Sequence, residues 1–293
     1  MTILITGANG MLGEECVKLL SKQHFVVATD LQDGLEYDCA VTYQILDITD
    51  RQAVARITEQ YQPDTVVNCA AFTDVDGCEN QRELAWRVNA GGVENLSAAL
   101  QNTSCRLIHI SSDYVFDGTA GPYSEEQPPK PINYYGQTKL DAERIIGKSN
   151  LPWTIVRTNV LFGNTTLQKA SFVRWVIEKL RHFETISVVN DQFGNPTWSY
   201  GMAEAINKII EKDARGLYHY AGTDYLDRFE FALKIAEIYD LNPLLIRKTT
   251  TRALHQPAPR PFRAGLICDK IKRELDVPSY SINESLTRMK GNS

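Results

Sequence analysis

Three side chains near the middle of the chain have the types and spacing to move a proton to a carbonyl oxygen. Ser112 closes the apolar run "RLIHISS", and Tyr135 and Lys139 stand one helical turn apart in "YYGQTKLDAE". Residues four apart share a helix face. A free phenol, with a pKa of about 10, is a poor proton shuttle at neutral pH. A neighbouring ammonium favours the phenolate, as does the positive nicotinamide of an oxidised cofactor. The pair is therefore expected to lower the Tyr135 pKa toward the range useful for an alcohol/ketone pair. Ser112 would hydrogen-bond the reacting oxygen, and Lys139 could also bond a nicotinamide ribose. A tyrosine and lysine four apart also occur by chance, so the context has to decide.

That context begins at the N-terminus. "ITGANGMLG" places Gly7, Gly10 and Gly13 directly after a strand-like run and at the start of a helical pattern. Gly7 permits a tight turn, Gly10 lets the backbone approach a pyrophosphate, and Gly13 allows close helix–sheet packing. The helix N-terminus supplies free N–H groups and partial positive charge. The second strand ends at Asp30. A carboxylate there can hold both adenosine ribose hydroxyls and would repel a 2′-phosphate, which favours NADH over NADPH. Asp47 and Ile48 fall where an adenine would lie, although "DITD" also reads as a helix N-cap.

Around these residues, short β-branched runs alternate with helical patterns. Strands are expected at 2–6, 25–30, 43–49, 64–71, 106–112 and 153–158, and helices at 11–21, 50–61, 80–101 and 135–146. The long helix at 80–101 counts Trp86, Val93, Leu96 and Leu100 among its apolar positions. Near-continuous apolar strands separated by helices imply a parallel sheet covered on both faces. The fold class is a doubly wound α/β (Rossmann) sheet with a smaller C-terminal substrate-binding region, its ligands bound beyond the carboxyl ends of the strands. Residues 1–163 are expected to form the dinucleotide-binding domain. Residues 164–293 are expected to be mainly substrate-binding, with a helix at 168–182 and segments near 186–222 returning to the main sheet. "HQPAPRPFRAG" (255–265) reads as a loop.

The totals narrow the function. A chain of 293 residues, 43% hydrophobic and 23% charged, can bury a full core and still build a cleft. A net charge of −5 without a basic run argues against nucleic-acid binding. No apolar stretch is long enough to span a membrane, and "MTILITGANG" enters a strand without a leader, so a cytoplasmic protein is expected. The six cysteines show no C-x-x-C pair and are expected to be reduced and mostly buried. The histidines lack zinc spacing.

"TGANGMLG", "NCAAFT", "ISSDYVFDG", "YYGQTKLDAE", "VRT" and "QFGNPT" together resemble the extended short-chain dehydrogenase/reductase superfamily, and within it the dTDP-4-dehydrorhamnose reductase family. The resemblance runs to "APRPFRAGLICDKI". It implies reduction of a 4-keto-6-deoxy sugar nucleotide by NADH or NADPH, by default dTDP-4-dehydrorhamnose to dTDP-rhamnose. It implies that Gly10, Met11 and Leu12 contact the pyrophosphate and that Ala70, Ala71 and Thr73 line the cofactor path. Ser111, Tyr135 and Lys139 would meet the nicotinamide ribose, and Ser112 and Asp113 would face the sugar, with Tyr135 as proton donor. Val160 stands where that family carries a tryptophan against the sugar ring, which puts the sugar in question. Glu15 matches a family glutamate associated with a magnesium ion between subunits of a homodimer; nothing else supports the metal, and Glu15 reads as a surface residue. The same likeness extends to the cofactor-binding β subunit of methionine adenosyltransferase, a regulator, and to sugar-nucleotide epimerases. Dehydratases of this fold show Thr-Asp-Glu where this chain has Ser112-Asp113-Tyr114.

Overall fold

The computed structural model describes residues 1–164 and 171–291. The strands, in chain order, are β1 (Thr2–Thr6), β2 (Phe25–Asp30), β3 (Thr42–Ile45), β4 (Thr65–Asn68), β5 (Arg106–Ser112), β6 (Trp153–Thr158), β7 (Leu161–Phe162), β8 (Ile186–Val189), β9 (Phe193–Gly194), β10 (Thr197–Trp198), β11 (Gly216–His219), β12 (Leu226–Asp227) and β13 (Ile246–Thr249). Seven of them form one sheet in the order β11-β6-β5-β4-β1-β2-β3, every pairing parallel. The chain runs from β1 outward to β3 and then crosses back to β4. The sheet therefore reverses direction between β1 and β4, where a crevice opens at the strands' carboxyl ends.

The helices are α1 (Met11–Leu20), α2 (Arg51–Tyr61), α3 (Val75–Asn80), α4 (Arg82–Trp86), α5 (Gly92–Leu100), α6 (Tyr134–Lys148), α7 (Phe172–Arg181), α8 (Ser199–Glu211), α9 (Arg228–Ile238), α10 (Asp269–Leu275) and α11 (Ile282–Gly291). On one face of the sheet, α1 packs against α8, and Ile3, Ile5, Cys16, Val17, Ile206 and Ile209 share a core. On the other face, Val54, Val93, Leu96 and Ile146 from α2, α5 and α6 meet Leu4, Val66 and Leu107. A third core, around Phe162, Val176, Phe231 and Ile246, lies among α7, α9, α11 and the β8–β13 pair.

The expected sheet is present, with three local corrections. The expected 80–101 helix is interrupted. Gln81 leaves helical geometry (φ −126°, ψ 54°), and residues Arg87–Gly91 form a π-helical turn before α5. Gly92 permits close packing there, since a Cβ would fall 2.5 Å from Ile48 Cδ1. Trp86 is 40% exposed and outside the core. The third and fourth strands are shorter than expected, because Asp47–Ile48 and residues 69–73 have already left the sheet. Gly216–His219 joins the main sheet beside β6, whereas Ile186–Val189 pairs with β13 away from it. The start of the helix expected at 168–182 lies outside the described residues. All six cysteines are free thiols, with Cys39 and Cys69 half-buried and the rest buried. No helix among the described residues is long and apolar enough to cross a membrane.

Candidate active site

The glycine-rich turn has the geometry its spacing implies. Gly7 has φ +69°, and a Cβ there would meet Ala70 N at 2.7 Å, so the ends of β1 and β4 touch. At Gly13 a Cβ would fall 2.0 Å from Gly7 O, which fixes α1 against the turn. At Gly10 the nearest atom is Gly7 O at 3.1 Å, and the position is otherwise open. No side chain caps the N-terminus of α1, so its first N–H groups are left for a ligand. Met11 is half-buried and Leu12 buried. Asp30 accepts from Asn9 N (2.9 Å) and Leu31 N (2.7 Å) and so stands beside the turn. A dinucleotide fits this cradle: glycine backbone for phosphate, carboxylate for ribose.

The adenine-side expectations divide. Asp47 is exposed, and one carboxylate oxygen accepts from Thr49 N (2.8 Å). Ile48 is buried, with its side chain packed close to Gly92. The N-cap in "DITD" is Asp50, which accepts from Gln52 N and Ala53 N. Ala70 and Ala71 are half-buried and Thr73 exposed in the segment after β4. Asn89, on the π-helical turn, clamps that segment: it accepts from Phe72 N (2.7 Å) and donates to Phe72 O (3.0 Å) and Thr138 Oγ1 (2.9 Å). π-Helical turns recur at functional sites, but a period-based reading of the sequence passes over them.

Tyr135, Ser112, Asp113 and Lys139 converge where β5 meets α6. Asn133 caps α6 through Gly136 N (2.8 Å) and donates to Pro259 O (2.9 Å). Gly136 lets α6 approach closely, since a Cβ would lie 2.1 Å from Tyr114 O. Tyr114 and Tyr135 meet edge to face at 5.5 Å. Tyr135 is buried, and Ser112 is among the groups that act on its phenol. Ser112 Oγ donates to Asp113 (3.1 Å) and accepts from Tyr114 N (3.2 Å).

The electrostatics differ from expectation. Burial pushes the Tyr135 phenol above its usual pKa, with Ser112 opposing and Asp113, Tyr114 and Cys78 adding to the rise. Lys139 is itself buried and donates to Ile110 O (2.6 Å). Burial pulls its pKa down to about 8, against the upward pull of Glu143. Burial, the largest cause, therefore favours the protonated phenol at neutral pH. Asp113 is buried (2% exposed), and its carboxyl is raised by burial to about 6, with Ser112, Arg228 and Asn159 opposing.

Ser111 is buried at the end of β5. Its hydroxyl donates to Glu143 Oε1 (2.5 Å), and Glu143 is held by Arg157 Nε (2.8 Å) and a second guanidinium N–H (2.6 Å). Arg157 in turn lies 3.4 Å from His219 Nε2. This buried pair lies behind the site and links α6, β5, β6 and β11. Glu15 is half-buried; burial raises it to about 7, with Lys18 opposing and Glu14 adding to the rise. Among the described residues no three His, Cys, Asp or Glu side chains form a metal-binding group.

In front of Asp113 a small cleft is lined by Asn159, Val160, Gln192, Phe193 and Arg228, among others. Asn159 donates to Asp113 Oδ2. Val160 lines the cleft at φ +41°, a costly conformation for a β-branched residue. The late loop closes the rim: Asp76 binds Ala258 N (3.0 Å) and Arg260 (2.8 Å), and Gly118 and Gly121 admit Pro261, Arg263 and Ala264. Sequence reasoning missed Asn159, Arg228, Glu143 and Asn89. Only Asn133, a capping residue type just before the helix, carried a local signal.

A parallel seven-stranded sheet with a glycine turn at its reversal and a Ser-Tyr-Lys set on the next strand and helix defines an extended short-chain dehydrogenase/reductase fold. More narrowly, the chain belongs to the RmlD substrate binding domain family, whose model matches residues 1–292. A dTDP-4-keto-6-deoxy-D-glucose reductase of Streptomyces niveus is 36% identical over 247 residues, covering 83% of this chain and 81% of the relative. The crystal structure of dTDP-4-dehydrorhamnose reductase from Bacillus anthracis in complex with NADP superposes with a TM-score of 0.89 at 31% identity, covering 100% of this chain and 99% of the other. The methionine adenosyltransferase 2 subunit beta of Xenopus laevis is 31% identical over 277 residues, covering 92% of this chain and 81% of the relative.

Proposed function

We propose that the protein is an NAD(P)H-dependent reductase of a 4-keto-6-deoxy sugar nucleotide, with dTDP-4-dehydrorhamnose as the default substrate and dTDP-rhamnose as the product. The observation that carries this reading is the buried Tyr135, which opens α6 near Ser112 at the end of β5. The names of the relatives support the substrate class. Gly7, Gly10, Met11, Leu12 and Gly13 would hold the cofactor's pyrophosphate, Asp30 its ribose, and Ala70, Ala71 and Thr73 the path toward the nicotinamide. When bound, the cofactor supplies the hydride.

The chain's own residues do the rest. Tyr135 Oη gives its proton to the C4 oxygen as negative charge develops there, and a buried phenol keeps that proton at neutral pH. Ser112 Oγ hydrogen-bonds the same oxygen and orients it. Asp113 and Val160 face the sugar. Lys139, held against Ile110 O, provides buried positive charge one helical turn from Tyr135. Asp30 favours NADH by repelling a 2′-phosphate.

The test is oxidation of NADH or NADPH by purified protein with a panel of 4-keto sugar nucleotides. Tyr135→Phe should lower kcat about 10²–10⁴-fold and leave cofactor affinity unchanged. Equal rates for the two proteins would refute the assignment. Cofactor binding without turnover of any panel member would favour a regulatory role like that of the methionine adenosyltransferase β subunit.

A further inference from the structure

Arg228 is a cation in the cleft without a counter-ion. It occupies the first turn of α9, where it is half-buried, and its guanidinium lies over the Phe172 ring at 5.4 Å. Among the described residues it makes no side-chain hydrogen bond or ion pair; its backbone N–H donates to Gln192 O (3.2 Å). The helix end is not the reason for its position. Asp227 caps α9 through Glu230 N (2.8 Å), and Glu230 reciprocates (3.2 Å). Asp113 and Tyr114 act on its charge from nearby, but neither forms an ion pair or hydrogen bond with it. Asp227 is used as the cap, and Asp113 is bound by Ser112 and Asn159. Arg260, which adds positive field, is already paired with Asp76. The guanidinium is half-buried and its donors are not taken by the described residues, so they are open to an anionic ligand.

A second orphan lies in the same cleft. Asn159 is 1% exposed, and its Oδ1 has no partner while its Nδ2 donates to Asp113. The cleft therefore offers one free acceptor and one unpaired cation, both near Asp113. A hydroxylated ring with an anion attached matches that pattern.

We propose that Arg228 binds the diphosphate of the sugar nucleotide and is the residue that selects diphosphate-linked sugars over free ones. The proposal rests on the reductase reading for the ring's orientation. With the C4 oxygen at Tyr135 and Ser112, the ring crosses Asp113 and Asn159. The anomeric carbon is the ring position opposite C4, so its diphosphate leaves on the side where Arg228 stands. The planar guanidinium can present two parallel N–H groups to phosphate oxygens, and its stacking on Phe172 leaves those edges free.

The experiment is calorimetric binding of dTDP, inorganic pyrophosphate, thymidine, glucuronate and NADH to the full chain, its Arg228→Gln and its Arg228→Lys variants. Arg228→Gln should weaken dTDP and pyrophosphate roughly 10–100-fold, with Arg228→Lys intermediate, and should leave thymidine and NADH unchanged. Unchanged NADH affinity also shows that the variant is folded. The proposal is overturned if wild type binds neither dTDP nor pyrophosphate, or if Arg228→Gln binds them as well as wild type does. It is also overturned if NADH weakens as much as dTDP, which would place the guanidinium on the cofactor, or if glucuronate alone responds, which would make the site one for a sugar carboxylate. These readouts involve no turnover, so the binding site and the reduction can fail separately.

Discussion

Replacing Asp113 with asparagine should make the protein more stable, by an amount that depends on pH. The carboxyl is 2% exposed, and burial raises it from 3.8 to about 6. A raised carboxyl pKa means that the folded state disfavours the charged form. Below pH 3.8 the acid is neutral in both states and contributes no penalty. Between 3.8 and about 6 the folded chain holds more protons than the unfolded chain, so stability falls as pH rises. Above 6 the full penalty applies. Two units at about 1.4 kcal/mol each give about 3 kcal/mol as an upper figure. The amide mimics the neutral acid and keeps the Ser112 hydrogen bond. Asn159 can rotate its amide so that the unpartnered Oδ1 accepts from the new N–H. Urea unfolding of both proteins across pH 4–8 reads this directly. The variant's advantage should grow through pH 4–6 and then level. A difference that is flat across pH, or that shrinks as pH rises, would refute the account of Asp113 as a buried, penalised charge.

Three further outcomes follow from the same geometry. Gly10→Ala should fold normally and lose cofactor affinity, because its Cβ enters open space, whereas Gly13→Ala should cost about 1–3 kcal/mol of stability, because its Cβ would fall 2.0 Å from Gly7 O; melting curves with and without NADH separate the two, and equal behaviour would contradict the reading. Asp30→Ala should raise the NADH Kd about tenfold and improve NADPH binding, as titration of each cofactor would show. The rate at saturating cofactor should decline as pH rises through about 8, where Lys139 loses its proton; a profile unchanged across that pH would show that the ammonium is not needed.

The main sheet was legible because its strands are short apolar runs whose residues meet no competing pattern. β1, β2, β5 and β6 fall where β-branched runs end at Asp30, Ser112 and Thr158. The glycine turn was legible because its three residues act locally, on the backbone of the same turn and on Ala70. The broken 75–100 region was not: a π-helical turn keeps apolar residues at helical spacing and is set by the Gly92–Ile48 contact and the Asn89 clamp, both formed at long range. The direction of the Tyr135 shift was missed because spacing reveals the ammonium but not the depth of burial. Arg228 and Asn159 carried no signal, since each becomes informative only when β6, α9 and the cleft are brought together. The Ser111–Glu143 hydrogen bond carried no sequence signal, since it depends on strand alternation turning Ser111 toward α6.

The loop at 258–266 has a consequence for assembly. It is stitched to Asp76, Gly118, Tyr123 and Asn133, partners placed more than a hundred positions earlier in the chain. Closing such a span loses much chain entropy before any contact rewards it. The parallel sheet core can therefore form while the rim around the phenol is still open. Refolding should recover bulk strand and helix signal first and enzymatic competence later, as two separable kinetic phases.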